Sequence, residues 1–518
     1  MENNRGKILW VDDEINHLKP HILFLQEKGY SITTCSNGND AIILVGNEDF
    51  NLLLLDQFMP GLDGMETLRE IKEIRPDLPV IMITKSEEEW LMDEAISEKV
   101  AQFLIKPVNP TQILMAIKQE LEEDKILEDT ATREYLKEFR DIEIKLQENM
   151  NADDWWKLYN NLVRRQLDFD RYKSTGLNNI LKEQGLTCNR EFAKFIENNY
   201  KSWLEGENSP VLSPHLFKVH VAPLLEQNRK VCFLVVDAMR LDQFQILLPF
   251  ILRSFKVKIM PSFSILPTAT PFSRNAIFSG LFPAEFCRNY PQQMELLISD
   301  SGSLNKFEEK FLTDQLKRFN LENKKVNYFK IFQPQDGKKI ESKIGDYLTQ
   351  DLLAIVVNFV DQVAHRRSES DVLKEMLPDE SGYRQIVKTW FEQSWLGRIL
   401  IELKEAGFTV VMTSDHGSIQ VNHGTLVGAD KTASKGVRYK YGRNLSTIEK
   451  NALKVENPDT FRLPVFGKRH DYIFAKDDNF FLYPNQQHLH TSRLKGSFQH
   501  GGISMEEMLI PVLIMEAK

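Results

Sequence analysis

Val231-Cys-Phe-Leu-Val-Val-Asp237 is an unbroken apolar run that ends on a carboxylate. Six apolar residues in a row, three of them valines, read as a strand buried on both faces. The same arrangement recurs. Leu352-Leu-Ala-Ile-Val-Val comes before Asp361, Val410-Val-Met before Asp415, and the shorter Phe263-Ser-Ile-Leu266 before Thr270. Strands of this kind belong to α/β sheets, whose ligands gather at the carboxyl ends of parallel strands. Asp237, Thr270, Asp361, His365, Asp415, His416 and His500 are therefore predicted to converge on one site. Their oxygen and nitrogen donors suit zinc or manganese. Two such metals suit phosphoryl transfer.

The local chemistry supports this. Thr270 stands directly before Pro271, and proline favours the first turn of a helix, so Thr270 is predicted as the N-cap. A hydroxyl there faces free backbone N–H groups, a good seat for a phosphate. Asp361 and His365 are spaced i, i+4 and share one helical face. In Ser414-Asp-His-Gly417 the glycine turn lets Asp415 and His416 converge, and Gln499-His500-Gly-Gly502 adds an imidazole on a glycine loop. Arg274 and Asn275, one turn after Thr270, are candidates for the non-bridging phosphate oxygens. Arg438-Tyr-Lys-Tyr-Gly-Arg443 interleaves bases and aromatics. Arg438 and Lys440 there read either as a phosphate and base grip or as part of a charged surface strand.

These motifs, in this order, resemble the alkaline phosphatase superfamily, and most closely its PglZ-type branch, over roughly residues 211–518. The resemblance implies one zinc held by Asp361, His365 and His500. It implies a second held by Asp237, Asp415 and His416, completed by Thr270 as nucleophile.

Residues 1–121 alternate strand and helix differently. Ile8-Leu-Trp-Val11, Ser31-Ile-Thr-Thr-Cys35, Leu52-Leu-Leu-Leu55, Val80-Ile-Met-Ile83 and Phe103-Leu-Ile105 are predicted strands. Four of them end on Asp12-Asp13, Asp56, Thr84 and Lys106-Pro107. The pattern predicts a doubly wound, five-stranded parallel sheet. It resembles a two-component receiver domain. Three clustered carboxylates suit magnesium, so Asp12, Asp13 and Asp56 are its expected ligands and Asp56 the phosphorylated residue. Lys106 and Thr84 would contact the phosphoryl group, and the resemblance makes Phe103 the aromatic switch.

Residues 122–210 show helical spacing and read as a central helical connector, with Asn151 or a neighbouring Asp capping a helix. The expected division is 1–121, 122–210 and 211–518. A net charge of −9 over 518 residues argues against bulk duplex binding and leaves room for a local basic pocket for a small anionic ligand; no basic helix-turn-helix follows the receiver. The 4 cysteines form no CxxC pair, which argues against a disulfide framework or a cysteine zinc site. No signal peptide and no apolar run near ~18 residues is seen, so no membrane span and a cytoplasmic location are expected.

The order receiver, helical connector, PglZ resembles the PorX-type response regulators of the type IX secretion system. That resemblance implies a sensor histidine kinase upstream, a phosphorylation-dependent homodimer, and a sigma factor or secretion-system component downstream. It also implies a two-zinc phosphodiesterase acting on small oligonucleotides. Two other readings stand beside it: a phospho-switched scaffold that binds a partner or nucleotide with little turnover, and a phosphomonoesterase. Sites for dianionic monoesters commonly add a positive clamp. The motifs offer only Arg240 and Arg274, which favours a diester.

Overall fold

A computed structural model describes residues 5–85, 98, 100–172, 175–299, 304–367, 370–430, 433–465, 470–484 and 487–518. The chain divides into two compact units, Met1–Arg133 and Glu134–Lys518.

The first unit holds β1 (Lys7–Val11), β2 (Ser31–Cys35), β3 (Leu52–Asp56), β4 (Val80–Thr84) and β5 (Gln102–Ile105). They form one sheet in the order β2-β1-β3-β4-β5, every pair parallel. The leucine run splits cleanly between its faces. Leu53 and Leu55 join Leu9, Val11 and Met82 in one apolar cluster, while Leu52 and Leu54 join Ile8, Trp10 and Ile81 in another. Each such side chain contributes roughly 1.5–3 kcal/mol when fully buried. Receivers commonly pair near their fourth helix and fifth strand; residues 86–97, where that helix is expected, lie outside the described residues.

The helix Pro110–Lys145 is continuous over 36 residues. The boundary expected at 121 therefore falls inside a helix. In the second unit, Asn151 Oδ1 accepts from the N–H groups of Asp153 and Asp154 at 2.9 and 3.1 Å, capping the helix Ala152–Tyr172. The helix Thr175–Leu204 follows.

The six-stranded sheet of this unit contains β6 (Val231–Val236), β7 (Phe255–Phe263), β8 (Val326–Ile331), β9 (Leu352–Val357), β10 (Thr409–Thr413) and β11 (Leu509–Ala517). The order is β7-β11-β10-β6-β9-β8. Only β11 is reversed, pairing antiparallel with both neighbours, so the carboxyl ends of the other five lie on one side. Both faces are covered. Cys232, Leu234 and Val236 enter one core, and Val231, Phe233 and Val235 the other.

One predicted strand is corrected. Of Phe263-Ser-Ile-Leu266 only Phe263 is β-strand, as the last residue of β7. The next N–H groups find partners elsewhere: Ile265 donates to Ser213 Oγ and Leu266 to the Tyr200 hydroxyl. The fold class is as the sequence predicted: a parallel five-stranded receiver sheet, a helical middle and a C-terminal α/β domain. Among the described residues, no helix is long and apolar enough to cross a membrane.

Candidate active site

Asp237 directly follows β6, and Asp415 and His416 come two and three residues after β10. The chain turns sharply after Asp237. Ala238 takes a left-handed φ of 59°, a conformation that costs a non-glycine residue of order 1 kcal/mol and recurs at functional sites. The turn aims the Ala238 N–H at Asp415 Oδ1 (3.2 Å) and the Met239 N–H at Ser414 Oγ (2.9 Å). A close approach of another kind fixes Gly417. A Cβ there would stand 1.9 Å from the Glu506 carbonyl oxygen, so only glycine lets His416 sit where it does.

Thr270 is the first residue of the helix Thr270–Ser279, and Ala269 takes the cap position, with φ −142° and ψ 141°. This corrects the predicted N-cap, and the reason is local. The Thr270 hydroxyl turns into the site, donating to Asp237 Oδ1 at 3.2 Å and lying 3.0 Å from His416 Nε2.

Two groups of metal-competent side chains meet here. In one, Asp237, Asp415 and His416 bring ligand atoms within 4.8 Å of one another, and in the other Asp361, His365 and His500 do the same. Asp361 and His365 share the helix Phe359–Arg367, with His365 Nε2 3.2 Å from Asp361 Oδ1. The His416 and His500 rings stack at 4.3 Å between centroids, which joins the groups. Each ring is oriented from behind. His416 Nδ1 lies 2.9 Å from the Gly417 carbonyl oxygen and His500 Nδ1 lies 3.3 Å from that of Thr268, leaving both Nε2 atoms facing inward.

The electrostatics fit bound cations. Burial pushes the Asp237 carboxyl upward against the pull of Arg274, and the Asp415 and Asp361 carboxylates push the same way. Burial also raises Asp415. Burial lowers His416, and it pushes His500 down to about 3, helped by the neighbouring His416 ring. These two imidazoles are thus held in the neutral form that ligates metal, beside Asp237 and Asp415, whose burial disfavours ionisation; Asp361 goes the other way, its carboxyl held down against burial by the His365 ring. Asp415 Oδ2 is buried and accepts no hydrogen bond, while the buried Asp361 Oδ1 faces the His365 and His500 rings at 3.2 and 3.7 Å. The donor set and the orphaned Asp415 oxygen fit divalent cations held by oxygen and nitrogen ligands, zinc among them.

In the first unit, Asp12, Asp13 and Asp56 also bring carboxylate oxygens within 4.8 Å of one another. Lys106 Nζ stands 2.9 Å from Asp12 Oδ2 and 3.0 Å from Asp56 Oδ1. Burial raises Asp56, Lys106 opposes the shift, and Asp12 and Asp13 reinforce it. A divalent cation would relieve that crowding, and all-oxygen donors suit magnesium. Thr84 is fully buried at the end of β4, and Phe103 is half-buried on β5.

Residues 216–515 match the BREX system PglZ alkaline phosphatase-like domain, more than half of the chain. The chain belongs to the PglZ family. Residues 8–118 match the response regulator receiver domain and residues 125–204 the PorX response regulator linker domain. Receiver, linker and PglZ domain in this order are the architecture of a PorX-type response regulator. Among curated relatives, the transcriptional regulatory protein ResD of Bacillus subtilis (strain 168) is 32% identical over 117 residues, 23% of this chain and 48% of that protein. ZraR of Klebsiella oxytoca is 31% identical over 132 residues, 26% of this chain and 30% of that protein. The chain thus spans less than half the length of either. A CheY-like receiver domain protein from Methanospirillum hungatei JF-1 has a solved structure that is 30% identical, covering 23% of this chain and 94% of that one, with a TM-score of 0.22. On an alkaline phosphatase-like fold, the paired Asp/His groups suit a hydrolase-type effector under receiver control.

The PglZ domain uses its other candidate residues differently from the sequence expectation. Arg438 is fully buried, its guanidinium forked onto Glu507 at 2.8 and 2.7 Å. Lys440 is also buried, donating to the carbonyls of Ser434 and Gly436. Neither a phosphate grip nor a surface strand describes them; both are interior cations, Arg438 paired with Glu507 and Lys440 bonded to backbone carbonyls. Arg274 faces inward, onto Asp237, Glu308 and Asn358. Asn275 Nδ2 donates to the carbonyls of Pro271 and Leu304, and its Oδ1 accepts from Asn305. His423 opens a short strand, with Nδ1 2.8 Å from Asp478 Oδ1.

Sequence reasoning missed the supports. Glu507 accepts from the Gly502 N–H at 2.9 Å, and the Thr268 hydroxyl accepts from the Gly501 N–H at 3.1 Å, so both hold the His500 loop. Thr268 lies two residues before the nucleophile candidate, the one local signal available. Glu308 had none, because Arg274 lies 34 residues away; Glu507 has a near partner in Gly502, but the Arg438 it pairs with lies 69 residues away.

Proposed function

We propose that this chain is a phospho-regulated, zinc-dependent phosphodiesterase whose substrate is a small oligonucleotide. A sensor histidine kinase phosphorylates Asp56, residues 1–121 receive the signal, and residues 122–210 pass it to the catalytic residues 211–518. A sigma factor or a component of the type IX secretion system lies downstream, by the PorX-type architecture.

The observation that carries this reading is the Thr270 hydroxyl, at the head of a helix and between Asp237 and His416. Asp361, His365 and His500 would hold one zinc, and Asp237, Asp415 and His416, with Thr270, the other. Zinc bound there supplies Lewis acidity that favours the ionised hydroxyl and offsets charge on the phosphoryl oxygens. Thr270 Oγ1 forms a bond to phosphorus as one ester P–O bond breaks, and the departing alcohol takes up a proton. Water then cleaves the Thr270–phosphorus ester, restoring the hydroxyl and releasing a monoester. The helix N-terminus favours anionic oxygens throughout. Asp237 and His416, which flank the hydroxyl, would place their zinc beside it.

The deciding experiment measures zinc content and turnover of a dinucleotide diester and an aryl monoester, for wild type and Thr270→Ala. Zinc near two per chain with diester turnover that Thr270→Ala abolishes supports the proposal. Preference for the monoester would overturn the diesterase reading.

A further inference from the structure

Four charged side chains of alternating sign run from Thr270 into the interior. Asp237 Oδ2 accepts from Arg274 Nη1 at 2.6 Å, and Arg274 Nε donates to Glu308 Oε1 at 2.5 Å. Glu308 Oε2 lies 2.7 Å from Lys330 Nζ and accepts from the Tyr328 hydroxyl at 2.5 Å. Arg274 is 2% exposed and Glu308 1%, so solvent screens these charges little. Minus, plus, minus, plus: the row is formally neutral.

The far end of the row returns to the nucleophile. Lys330 Nζ also donates to the Asn305 carbonyl at 2.9 Å, and Asn305 Nδ2 donates to the Thr270 carbonyl at 3.0 Å. Arg274 stands one helical turn after Thr270, where a guanidinium commonly clamps a phosphoryl group. Here its Nε is taken by Glu308 and its Nη1 by Asp237 and Asn358. Glu308 thus offsets its charge from behind, while Asp237 and, at 4.0 Å, Asp415 face it from the site.

We propose that Glu308 is a specificity-determining residue. By neutralising Arg274 it withholds positive charge from the Thr270 site, so the site accepts a monoanionic diester and disfavours a dianionic monoester. Lys330 sets how completely Glu308 does so. The inference rests on Thr270 marking the phosphoryl site, and its test is separable from the test of diester turnover.

Glu308→Gln keeps the side chain's volume and an oxygen for Arg274 Nε, but makes the row formally +1. Lys330→Met makes it −1. The double variant Glu308→Gln/Lys330→Met restores zero. Inorganic phosphate binding is measured by calorimetry on protein of matched zinc content. The ratio of kcat/KM for p-nitrophenyl phosphate to that for bis-p-nitrophenyl phosphate is measured alongside. Glu308→Gln should bind phosphate about tenfold more tightly and raise the ratio by a similar factor, a typical size for one weakly screened charge. Lys330→Met should move both the other way, and the double variant should return both towards wild type.

A merely structural Glu308 would lower both activities together and leave the ratio and the phosphate affinity unchanged, which overturns the proposal. So does a double variant that fails to restore them. If Glu308→Gln does not fold, Lys330→Met decides: unchanged phosphate affinity sinks the idea. If wild type turns over neither ester, the phosphodiesterase reading fails, while phosphate affinity across the variants still decides the role of Glu308.

Discussion

At the residue scale the site hangs on a single hydroxyl. Thr270→Ala removes the group between Asp237 and His416 but no Asp or His of either metal-competent group, so zinc content and fold should survive. Turnover should fall by about a thousandfold or more, since the covalent step is gone. Near-normal turnover at full zinc would show that another nucleophile acts. Gly417→Ala should instead act on stability, because its Cβ would meet the Glu506 carbonyl at 1.9 Å. Backbone cannot yield as a flexible side chain does, so a lowered melting temperature and lost zinc are expected together; an unchanged melting curve would contradict the packing. At this scale the metal-competent residues were legible, because Asp361 and His365, or Asp415 and His416, carry their geometry in local spacing. Arg438 and Arg274 were not. A cation reads as exposed until its carboxylate is known, and Glu507 and Glu308 lie 69 and 34 residues away.

At the element scale, strands buried on both faces announced themselves as continuous apolar runs. The run before Thr270 misled, because Ile265 and Leu266 spend their N–H groups on Ser213 and Tyr200 rather than on a strand partner. The His500 loop is held by Glu507, itself paired with Arg438, on one side and by Thr268 on the other. Glu507→Gln should weaken binding of one zinc equivalent by about 10–100-fold, as loss of outer support does, leaving the second less affected. Equal loss of both on chelator titration would refute that division. The turn at Lys476–Asp478 carries a pH signature. Asp477, at φ 51°, is pushed up to about 6 by burial, with Arg438 opposing and Asp478 adding. A carboxyl whose folded pKa is raised costs nothing below its unfolded pKa and destabilises increasingly as pH rises through the folded value. Stability should therefore decline between about pH 4 and 6 on this account. Asp477→Asn, neutral and at ease in the left-handed region, should flatten that slope and add about 1–2 kcal/mol at pH 7, discounted for partial exposure. A denaturation series across that range checks it; an unchanged slope would assign the pH dependence elsewhere.

At the scale of the whole molecule, the question is how Asp56 reaches Thr270. Within Glu134–Lys518, the helix Thr175–Leu204 grips two active-site segments directly. The Tyr200 hydroxyl accepts from the Leu266 N–H at 2.8 Å, four residues before Thr270. Asn189 accepts from the Met505 N–H at 2.8 Å and donates to Glu506 at 2.9 Å, beside the Glu507 that supports the His500 loop. A rotation or shift of this helix would be felt at both the nucleophile and the metal-competent residues. On the proposed reading, an acylphosphate at Asp56 adds charge beside Lys106, whose Nζ stands 3.0 Å from Asp56 Oδ1, and Thr84 and Phe103 are the residues expected to respond. If that favours pairing of two chains, the new interface must outweigh lost translational and rotational freedom, so the phosphorylated state must bind its copy more strongly than the unphosphorylated one does. Beryllium fluoride with magnesium should therefore double the mass seen by light scattering and change diester turnover. Tyr200→Phe should still double its mass but lose much of the linked change in turnover, because it breaks the grip and not the pairing. An unchanged mass with Asp56 occupancy confirmed would rule out the dimer switch, and full coupling in Tyr200→Phe would place the signal's route outside this helix.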